Sequence, residues 1–194
     1  MAINCDALQV YEGMPILTGT ASAAEQALLE HRLLGFVPVT ADFSVGDYMP
    51  LAHAEIDAAL AAGRRPIVVG GTGLYLRAAL ADLSLVKAPP GAEDSELWSP
   101  NTRHPTSIFG LEMDRALLYE RIDARVEALG PGRTARKALG FDELLAGDVE
   151  SMKRRSRNYA RRQLTWMRKI PDLHRVDRTG LSDREAAEAI VCRA

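Results

Sequence analysis

The chain has 194 residues, of which 47% are hydrophobic and 26% are charged, a composition typical of a globular protein with one sizeable domain. It holds no apolar run near the roughly 18–20 residues of a membrane-spanning helix and no signal-peptide pattern, so we expect neither. Cys5 and Cys192 stand outside any Cys/His cluster, which argues against zinc. A disulfide between them is one alternative, and a reduced, cytoplasmic chain is the simpler one.

Charge is unevenly distributed along the chain. The formal net charge is −2, yet residues 148–170 carry +6 and the remainder carries −8. This local excess of cations predicts an anionic partner for that segment rather than a protein that is basic overall.

The first predicted element is a strand over Met1–Cys5 that ends at Asp6. Ligands of open α/β sheets bind just beyond the carboxyl ends of strands, so Asp6 is a candidate site residue; the alternative is a turn or cap residue. Ala7–Pro15 follows as a short mixed element closed by a glycine and a proline.

Two amphipathic patterns then predict helices. The first covers Ala23–Leu34 and ends at Gly35–Pro38; the second covers Tyr48–Ala62, with Gly63 as its cap, and Phe36–Ser44 between them predicts strand and loop. The residues expected to face the core are Leu28, Leu29 and Leu33 in the first helix and Leu51, Ile56 and Leu60 in the second.

A β-branched run, Ile67–Val69, predicts a strand buried on both faces, and the glycine turn Gly70–Gly73 then separates it from a helix. A strand that ends in such a turn presents backbone N–H groups at a helix N-terminus, where a phosphate can bind. The alternative is that the glycines only allow the strand to pack close to a helix. The G-x-G-x-x-G pattern of dinucleotide sites is not completed.

The second half begins with a change in composition. Residues 84–106 are linker-like and include the Pro/Gly-rich stretch Lys87–Ser95. A strand is predicted over Ser107–Met113, and Asp114 then caps a helix. The residues that this helix is expected to bury are Leu118, Ile122, Val126 and Leu129.

The longest predicted helix, Asp148–Ile170, follows a short one over Ala135–Leu145. Eight cations cover much of the surface beside its apolar stripe. Like charges at i, i+4 spacing repel each other, so this surface favours nucleic acid or polyphosphate over plain solvation. Tyr159 and Trp166 interleave with the arginines, which suits either base stacking or core packing.

A strand over His174–Asp177 and a terminal helix that opens with the capping box Ser182–Glu185 complete the pattern. Strands that alternate with helices predict an α/β fold with a mainly parallel sheet. We expect residues 1–194 to form a single α/β domain.

Four segments, in this order, are similar to the motifs of one family. They are Asp6–Met14 (A-D-S-x-Q-V-Y-R-G-x in the family), Val69–Tyr75 (V-G-G-T-G-L-Y), Ala135–Phe141 (A-x-x-A-x-G-[YF]) and Arg157–Trp166 (R-x-x-A-[KR]-R-Q-x-T-W). The chain thereby resembles the tRNA dimethylallyltransferases, also called isopentenyl-tRNA transferases. The resemblance implies a P-loop-NTPase-like sheet flanked by helices. It also implies transfer of a dimethylallyl group from dimethylallyl diphosphate to N6 of adenosine 37 in tRNA, with Mg²⁺ on the diphosphate.

The resemblance also implies roles for individual residues. Asp6 would accept the amine proton and position N6, Thr72 would face the reacting groups, and Arg136 would hold the diphosphate. The implied partners are tRNA and dimethylallyl diphosphate, for a cytoplasmic protein that we expect to be a monomer. The remaining candidates for binding the diphosphate or tRNA are Ala7, Leu8, Gln9, Gly70, Gly71, Gly73, Arg157, Arg161, Arg162 and Gln163.

The chain departs from the family pattern in two places. The phosphate loop G-x-x-x-x-G-K-[ST] does not occur, so we expect a fold truncated at the first strand. A linker-like stretch follows Leu80, where the family carries a helical insertion that grips the anticodon stem. Two alternatives therefore stand beside the enzyme: an RNA-binding remnant without diphosphate chemistry, and a small nucleotide kinase, which the missing loop lysine disfavours.

Overall fold

The computed structural model of the chain describes residues 1–85, 97–128 and 146–193. Its elements, in chain order, are β1 (Ala2–Asn4), α1 (Pro15–Thr18), α2 (Ala23–Leu28), β2 (His31–Arg32), α3 (Val45–Ala61), β3 (Ile67–Val69), α4 (Gly73–Leu80), β4 (Ile108–Glu112), α5 (Arg115–Ala128), α6 (Val149–Met167), β5 (Leu173–Asp177) and α7 (Asp183–Val191). Within these described ranges, no helix is both long enough and apolar enough to span a bilayer.

The strands form two parallel sheets flanked by helices, which confirms the predicted α/β class. β1 lies between β2 and β3, with Ala2 opposite both His31 and Ile67. β4 pairs with β5, with Ile108 opposite Leu173. Parallel pairing brings the carboxyl ends of β1 and β3 to one edge of the sheet, and the candidate site lies at this edge.

The main core lies where α3 and α4 pack on β1. The rings of Tyr48 and Tyr75 stack with their centroids 4.5 Å apart, and the Tyr48 hydroxyl donates to the main-chain carbonyl of Asn4 at 2.9 Å. Ala52 and Ala78 are fully buried, and their small side chains allow the two helices to approach closely. A smaller cluster of Val126 and Met152, with Ile122 against it, joins α5 to α6.

The predicted helix Ala23–Leu34 is wrong in its second half. α2 ends at Leu28, and Leu29 has the extended φ of −142°. The next residues, His31–Arg32, pair with β1 as β2, so main-chain pairing outweighs the helical pattern. Leu28, expected in the core, is 88% exposed, and Leu33 has a φ of 56°, which no helix permits.

Two further burial predictions are wrong. In α3, Ile56 is buried as expected, but Leu51 and Leu60 are about half-exposed because the core-facing stripe is Tyr48, Ala52, Ile56 and Ala59. In β3, Ile67 and Val69 are 49% and 54% exposed. Ile67 and Val69 point to the same face of β3, because side chains alternate along a strand, so this face is not covered.

The other elements predicted within the described residues are present, except that Phe36–Ser44 forms no strand beyond a single bridge between Val37 and Tyr11. Asp148 caps α6, Ser182 and Glu185 form the capping box of α7, and the Asp114 carboxylate accepts from the main-chain N–H of Ala116 at the start of α5. Gly63, with a φ of 68°, follows α3 in the conformation expected of a cap. The predicted helix 135–145, the linker 87–95 and Leu129 lie outside the described residues.

Candidate active site

The candidate site is built on the adjacent ends of β1 and β3. The main-chain N–H of Cys5 donates to the carbonyl of Val69 at 2.8 Å, so the residues that follow each strand run side by side. A Cβ on Gly70 would lie 2.5 Å from the carbonyl carbon of Cys5 and 2.7 Å from the amide nitrogen of Asp6. This close approach of two main chains requires glycine at position 70.

Local hydrogen bonds fix the orientation of Asp6. Its Oδ1 accepts from the main-chain N–H of Leu8 at 2.9 Å. The side chain of Asn4 holds the Asp6 backbone: Oδ1 accepts from the Asp6 N–H at 3.0 Å, and Nδ2 donates to the Asp6 carbonyl at 3.1 Å. The other carboxylate oxygen, Oδ2, lies 3.6 Å from the position of a Cβ on Gly71 and so faces the glycine turn.

The hydroxyl of Thr72 lies on the same side of the glycine turn, against the segment that follows β1. Its Oγ1 accepts from the main-chain N–H of Ala7 at 3.1 Å and lies 3.5 Å from the hydroxyl of Tyr159. Thr72 is the N-cap residue of α4 but makes no side-chain cap bond, so its hydroxyl stays in the site. Burial raises the pKa of Tyr159, which therefore remains a protonated phenol able to donate at neutral pH.

Helix α6 closes the site from the opposite side. The Gln163 side-chain amide donates to the Gly71 carbonyl at 3.0 Å. A Cβ on Gly71 would meet the Gln163 amide nitrogen at 2.1 Å, and a Cβ on Gly73 would meet the Trp166 ring at 2.2 Å. Close packing therefore accounts for all three glycines of the turn. Their predicted role in phosphate binding stays a prediction.

Four of the six cations of α6 fall into two groups. Arg157 forms an ion pair with Asp123 of α5, and the buried Lys153 contacts Glu127 and Glu150, so acidic partners account for these two. Because their charges are already neutralised by these acidic partners, Arg157 and Lys153 are poor candidates for the predicted phosphate-facing surface. Asp123 accordingly raises the pKa of the Arg157 guanidinium.

The other two predicted arginines, Arg161 and Arg162, are exposed. Arg162 stands over the ring of Tyr159, with 5.7 Å between its guanidinium carbon and the ring centroid. Arg161 bonds to the side chain of Asn158 one turn earlier and is exposed. Both remain open to an anionic ligand.

The remaining predicted residues are placed as follows. Ala7 and Leu8 enter the site through their main-chain N–H groups. The Gln9 side-chain amide donates to the carbonyls of Thr18 and Gly19, at 3.1 and 3.3 Å, and folds over the end of α1. Arg136 lies outside the described residues.

Sequence reasoning missed two residues of the site. Asn4 is 6% exposed, and an asparagine in an otherwise apolar strand, two positions before Asp6, was an available signal. Tyr159 was considered for base stacking or core packing, and only the pairing of α6 with the glycine turn reveals its hydroxyl as part of the site.

The site therefore joins an oriented carboxylate, two hydroxyls and a carboxamide, with arginines on one side. Such a group can accept a proton from an amine and hold a polar ligand in place. The described residues contain no cluster of three or more His, Cys, Asp or Glu side chains suited to a metal ion.

Known proteins are similar to this chain in sequence and in fold. A family model described as IPP transferase matches residues 9–104. The tRNA dimethylallyltransferase of Rhodospirillum centenum is 34% identical to the chain, over 86% of this chain and 79% of the relative. The chain belongs to the tRNA dimethylallyltransferase family. This confirms the assignment made from the four motifs.

Two solved structures show how much of the family fold is present. The tRNA isopentenylpyrophosphate transferase of Bacillus halodurans superposes with a TM-score of 0.80 at 26% identity, covering 97% of this chain and 85% of that one. The corresponding protein from Staphylococcus epidermidis shares the fold, with a TM-score of 0.78 at 22% identity over 99% of this chain and 89% of that one. The alignment with the Rhodospirillum relative spans 251 positions, more than the 194 of this chain, so that relative of the tRNA dimethylallyltransferase family has internal segments absent here.

Proposed function

We propose that this member of the tRNA dimethylallyltransferase family transfers a dimethylallyl group from dimethylallyl diphosphate to N6 of adenosine 37 in tRNA. The observation that carries the proposal is the meeting of Asp6, Thr72 and Gln163 around the glycine turn. Relatives that bear the name tRNA dimethylallyltransferase supply the reaction class.

The chemistry needs a group that accepts one proton. The N6 nitrogen forms a bond to the allylic carbon as the bond from that carbon to the diphosphate oxygen breaks, and its electron pair leaves with the diphosphate. The N6 proton then passes to the Asp6 carboxylate. The bond from the Leu8 N–H holds Oδ1, and this leaves Oδ2 to face the substrate.

The donor is placed against the opposite wall of the site. The Thr72 hydroxyl faces the reacting carbon and oxygen, because the Ala7 N–H fixes its position and it makes no cap bond. The N–H groups at the start of α4 face the leaving diphosphate, where the helix dipole favours negative charge. Arg136 adds a permanent cation with a planar fork that suits a diphosphate.

Mg²⁺ would be held mainly by the oxygens of the donor. Mg²⁺ commonly combines one or two protein oxygens with substrate phosphates, and among the described residues the Thr72 hydroxyl is available to it, because Oδ2 of Asp6 receives the N6 proton. When bound, it would neutralise charge on the departing diphosphate. Arg161 and Arg162 would contact the tRNA backbone beside the site.

We further propose that the protein acts as a cytoplasmic monomer with residues 1–194 as one domain. Support comes from the cysteines, since Cys5 and Cys192 are both free thiols. The bond between Gln163 and Gly71 also ties the second half of the chain to the first. Light scattering of the purified chain tests this proposal, and a mass near twice 21.2 kDa would contradict it.

Label transfer from radioactive dimethylallyl diphosphate to unmodified tRNA tests the proposed function. We expect incorporation that requires Mg²⁺ and is lost in Asp6→Asn. Asp172→Asn is the matched control, because Asp172 lies outside the site with a φ of 53° that asparagine also tolerates. Salt-dependent tRNA binding with no incorporation would instead establish the RNA-binding remnant.

A further inference from the structure

We propose that Arg77 is a positioning residue: it fixes the segment 97–101, through which Trp98 holds Trp166 of α6 against the glycine turn. Arg77 touches none of the residues assigned to substrate above. The proposal rests on the proposed function only for its kinetic consequence, since the contacts themselves are independent of any ligand.

Arg77 is a buried cation that is held by carbonyl oxygens. It is 1% exposed, and its Nε donates to the Leu97 carbonyl at 2.9 Å. Its Nη2 donates to the carbonyl of Ser99 at 2.7 Å and lies 3.5 Å from that of Asn101. In the described part of the chain no carboxylate forms an ion pair with it. The planar guanidinium, with five N–H donors, can bind several carbonyls at once in a fixed geometry.

This cation costs desolvation energy that an apolar residue would avoid. Its neighbours on α4, Ala78, Ala79 and Leu80, are buried and apolar, so the helix needs no charge for packing. Burial lowers the pKa of Arg77, as expected for a charge removed from water. The contacts that it gains all lie in one segment, residues 97–101, and they fix the course of that segment.

Trp98 stands in the middle of the fixed segment. Its main-chain neighbours, Leu97 and Ser99, both provide carbonyls to Arg77. The Trp98 ring packs on the ring of Trp166, with centroids 4.8 Å apart at an angle of 53°. The ammonium of Lys169 lies 4.9 Å from the Trp98 centroid, so Trp98 contacts two residues near the end of α6.

Trp166 in turn packs directly against the glycine turn. Its ring atoms lie 2.2 to 2.9 Å from where a Cβ on Gly73 would be, so glycine alone leaves room for it. Tyr159, Gln163 and Trp166 follow i, i+4, i+7 spacing and share one face of α6. The position of Trp166 therefore sets how Gln163 meets Gly71, which is a contact of the proposed site.

The two tryptophans of this pair are the only two in the chain, so their contact has its own optical signal. Exciton coupling between the rings in circular dichroism reports their distance and angle without any substrate. We expect the coupling to vanish in Trp98→Phe, to weaken in Arg77→Met and to stay in Arg32→Met, a control at a half-exposed arginine paired with Glu30. Full coupling in a folded Arg77→Met protein overturns the proposal.

Transfer kinetics test the consequence for the site. Because Arg77 positions other groups, we expect Arg77→Met to lower kcat about tenfold or more while KM for tRNA changes little, with partial recovery in Arg77→Lys. If Arg77→Met does not fold, Trp98→Leu removes the ring while leaving the carbonyl contacts, and the same loss of kcat is expected. An unchanged kcat in a folded variant with weakened coupling overturns the positioning role. A wild-type chain that transfers no dimethylallyl group contradicts the proposed function alone, and the coupling measurement still decides whether Arg77 fixes the tryptophan pair.

Discussion

The side-chain amide of Gln163 donates a 3.0 Å hydrogen bond to the main-chain carbonyl of Gly71, a residue 92 positions earlier in the chain. This bond joins the cationic helix α6 to the turn that follows β3. It brings two of the four family motifs into direct contact, on the same helix whose Tyr159 hydroxyl lies 3.5 Å from Thr72 Oγ1.

The glycines of the turn should differ in their tolerance of alanine. A Cβ on Gly70 would press on the main chain of Cys5 and Asp6, which cannot move aside, so we expect Gly70→Ala to destabilise the fold by about 1–3 kcal/mol. A Cβ on Gly71 would meet only the end of the Gln163 side chain, which can rotate away at the loss of one hydrogen bond, about 1 kcal/mol.

Urea unfolding measures this difference. Gly46→Ala is the control, because Gly46 lies in α3 and a Cβ there meets nothing closer than 3.4 Å. Equal stability of the Gly70→Ala and Gly46→Ala proteins would show that the strands do not approach as described.

Replacement of the proposed proton acceptor should affect rate more than stability. In Asp6→Asn the side-chain oxygen can still accept from the Leu8 N–H, so the thermal midpoint should stay close to that of the wild type. We expect the transfer rate to fall about 10²- to 10⁴-fold, the usual contribution of a positioned base. Initial rates at saturating donor check this, and a rate within a factor of about two would remove Asp6 from the proton transfer.

Substitutions in the two groups of α6 cations should have different effects on the affinity for tRNA. Arg162 stands at the site, so Arg162→Met should weaken tRNA binding and reduce the salt dependence of the logarithm of the binding constant by about one. Arg157 is already paired with Asp123, so Arg157→Met should lower the unfolding midpoint and leave the salt dependence nearly unchanged. Filter binding over a salt series distinguishes them, and equal slopes for both variants would contradict the assignment.

The two thiols should react very differently. Burial raises the pKa of Cys5 from 9.0 to about 12, whereas Cys192 is exposed. We expect one of the two thiols to react with a disulfide reagent at pH 8 in the folded protein and both to react after denaturation. Rapid reaction of both thiols in the folded chain would show that the end of β1 is open to solvent.

The same burial predicts a loss of stability in alkali. The folded chain keeps the Cys5 proton up to about pH 12, while the unfolded chain releases it near pH 9. The contribution of the protonated Cys5 thiol to the free energy of unfolding is therefore complete below pH 9 and is lost as pH rises from 9 towards 12. Burial also raises the pKa of Tyr48, which acts in the same direction. Unfolding free energies measured between pH 8 and 11 test the sign.

Local signals in the sequence were enough for much of the fold. Capping residues at Asp114 and Ser182 placed the starts of two helices correctly, because a cap is decided by a few neighbouring atoms. The helix predicted to end at Leu34 failed because β1 competes for residues 31–32, and that pairing spans about 30 positions of the chain. The predicted burial of β3 failed for a related reason, since whether another element covers a face of the strand is not a local property.

In the candidate site, too, some residues could be identified from the sequence, whereas others depend on contacts between distant segments. Asp6 was recognisable because it follows a strand, whereas Thr72 was identified through the family motif. The bond from the main-chain N–H of Ala7 to the Thr72 hydroxyl shows how close the two segments come. The hydroxyl of Tyr159 and the carbonyl contacts of Arg77 depend on packing between distant segments. No spacing within the sequence encodes them.

The most direct test of the central claim is the location of the transferred group. Wild-type protein, Mg²⁺ and dimethylallyl diphosphate are incubated with unmodified tRNA that carries adenosine at positions 36 and 37, and with the same tRNA carrying guanosine at 37. The nucleosides from each digest are then analysed by mass. The account predicts N6-dimethylallyladenosine from the first tRNA and none from the second. No modified nucleoside from either tRNA, from a folded protein that binds both, would contradict it.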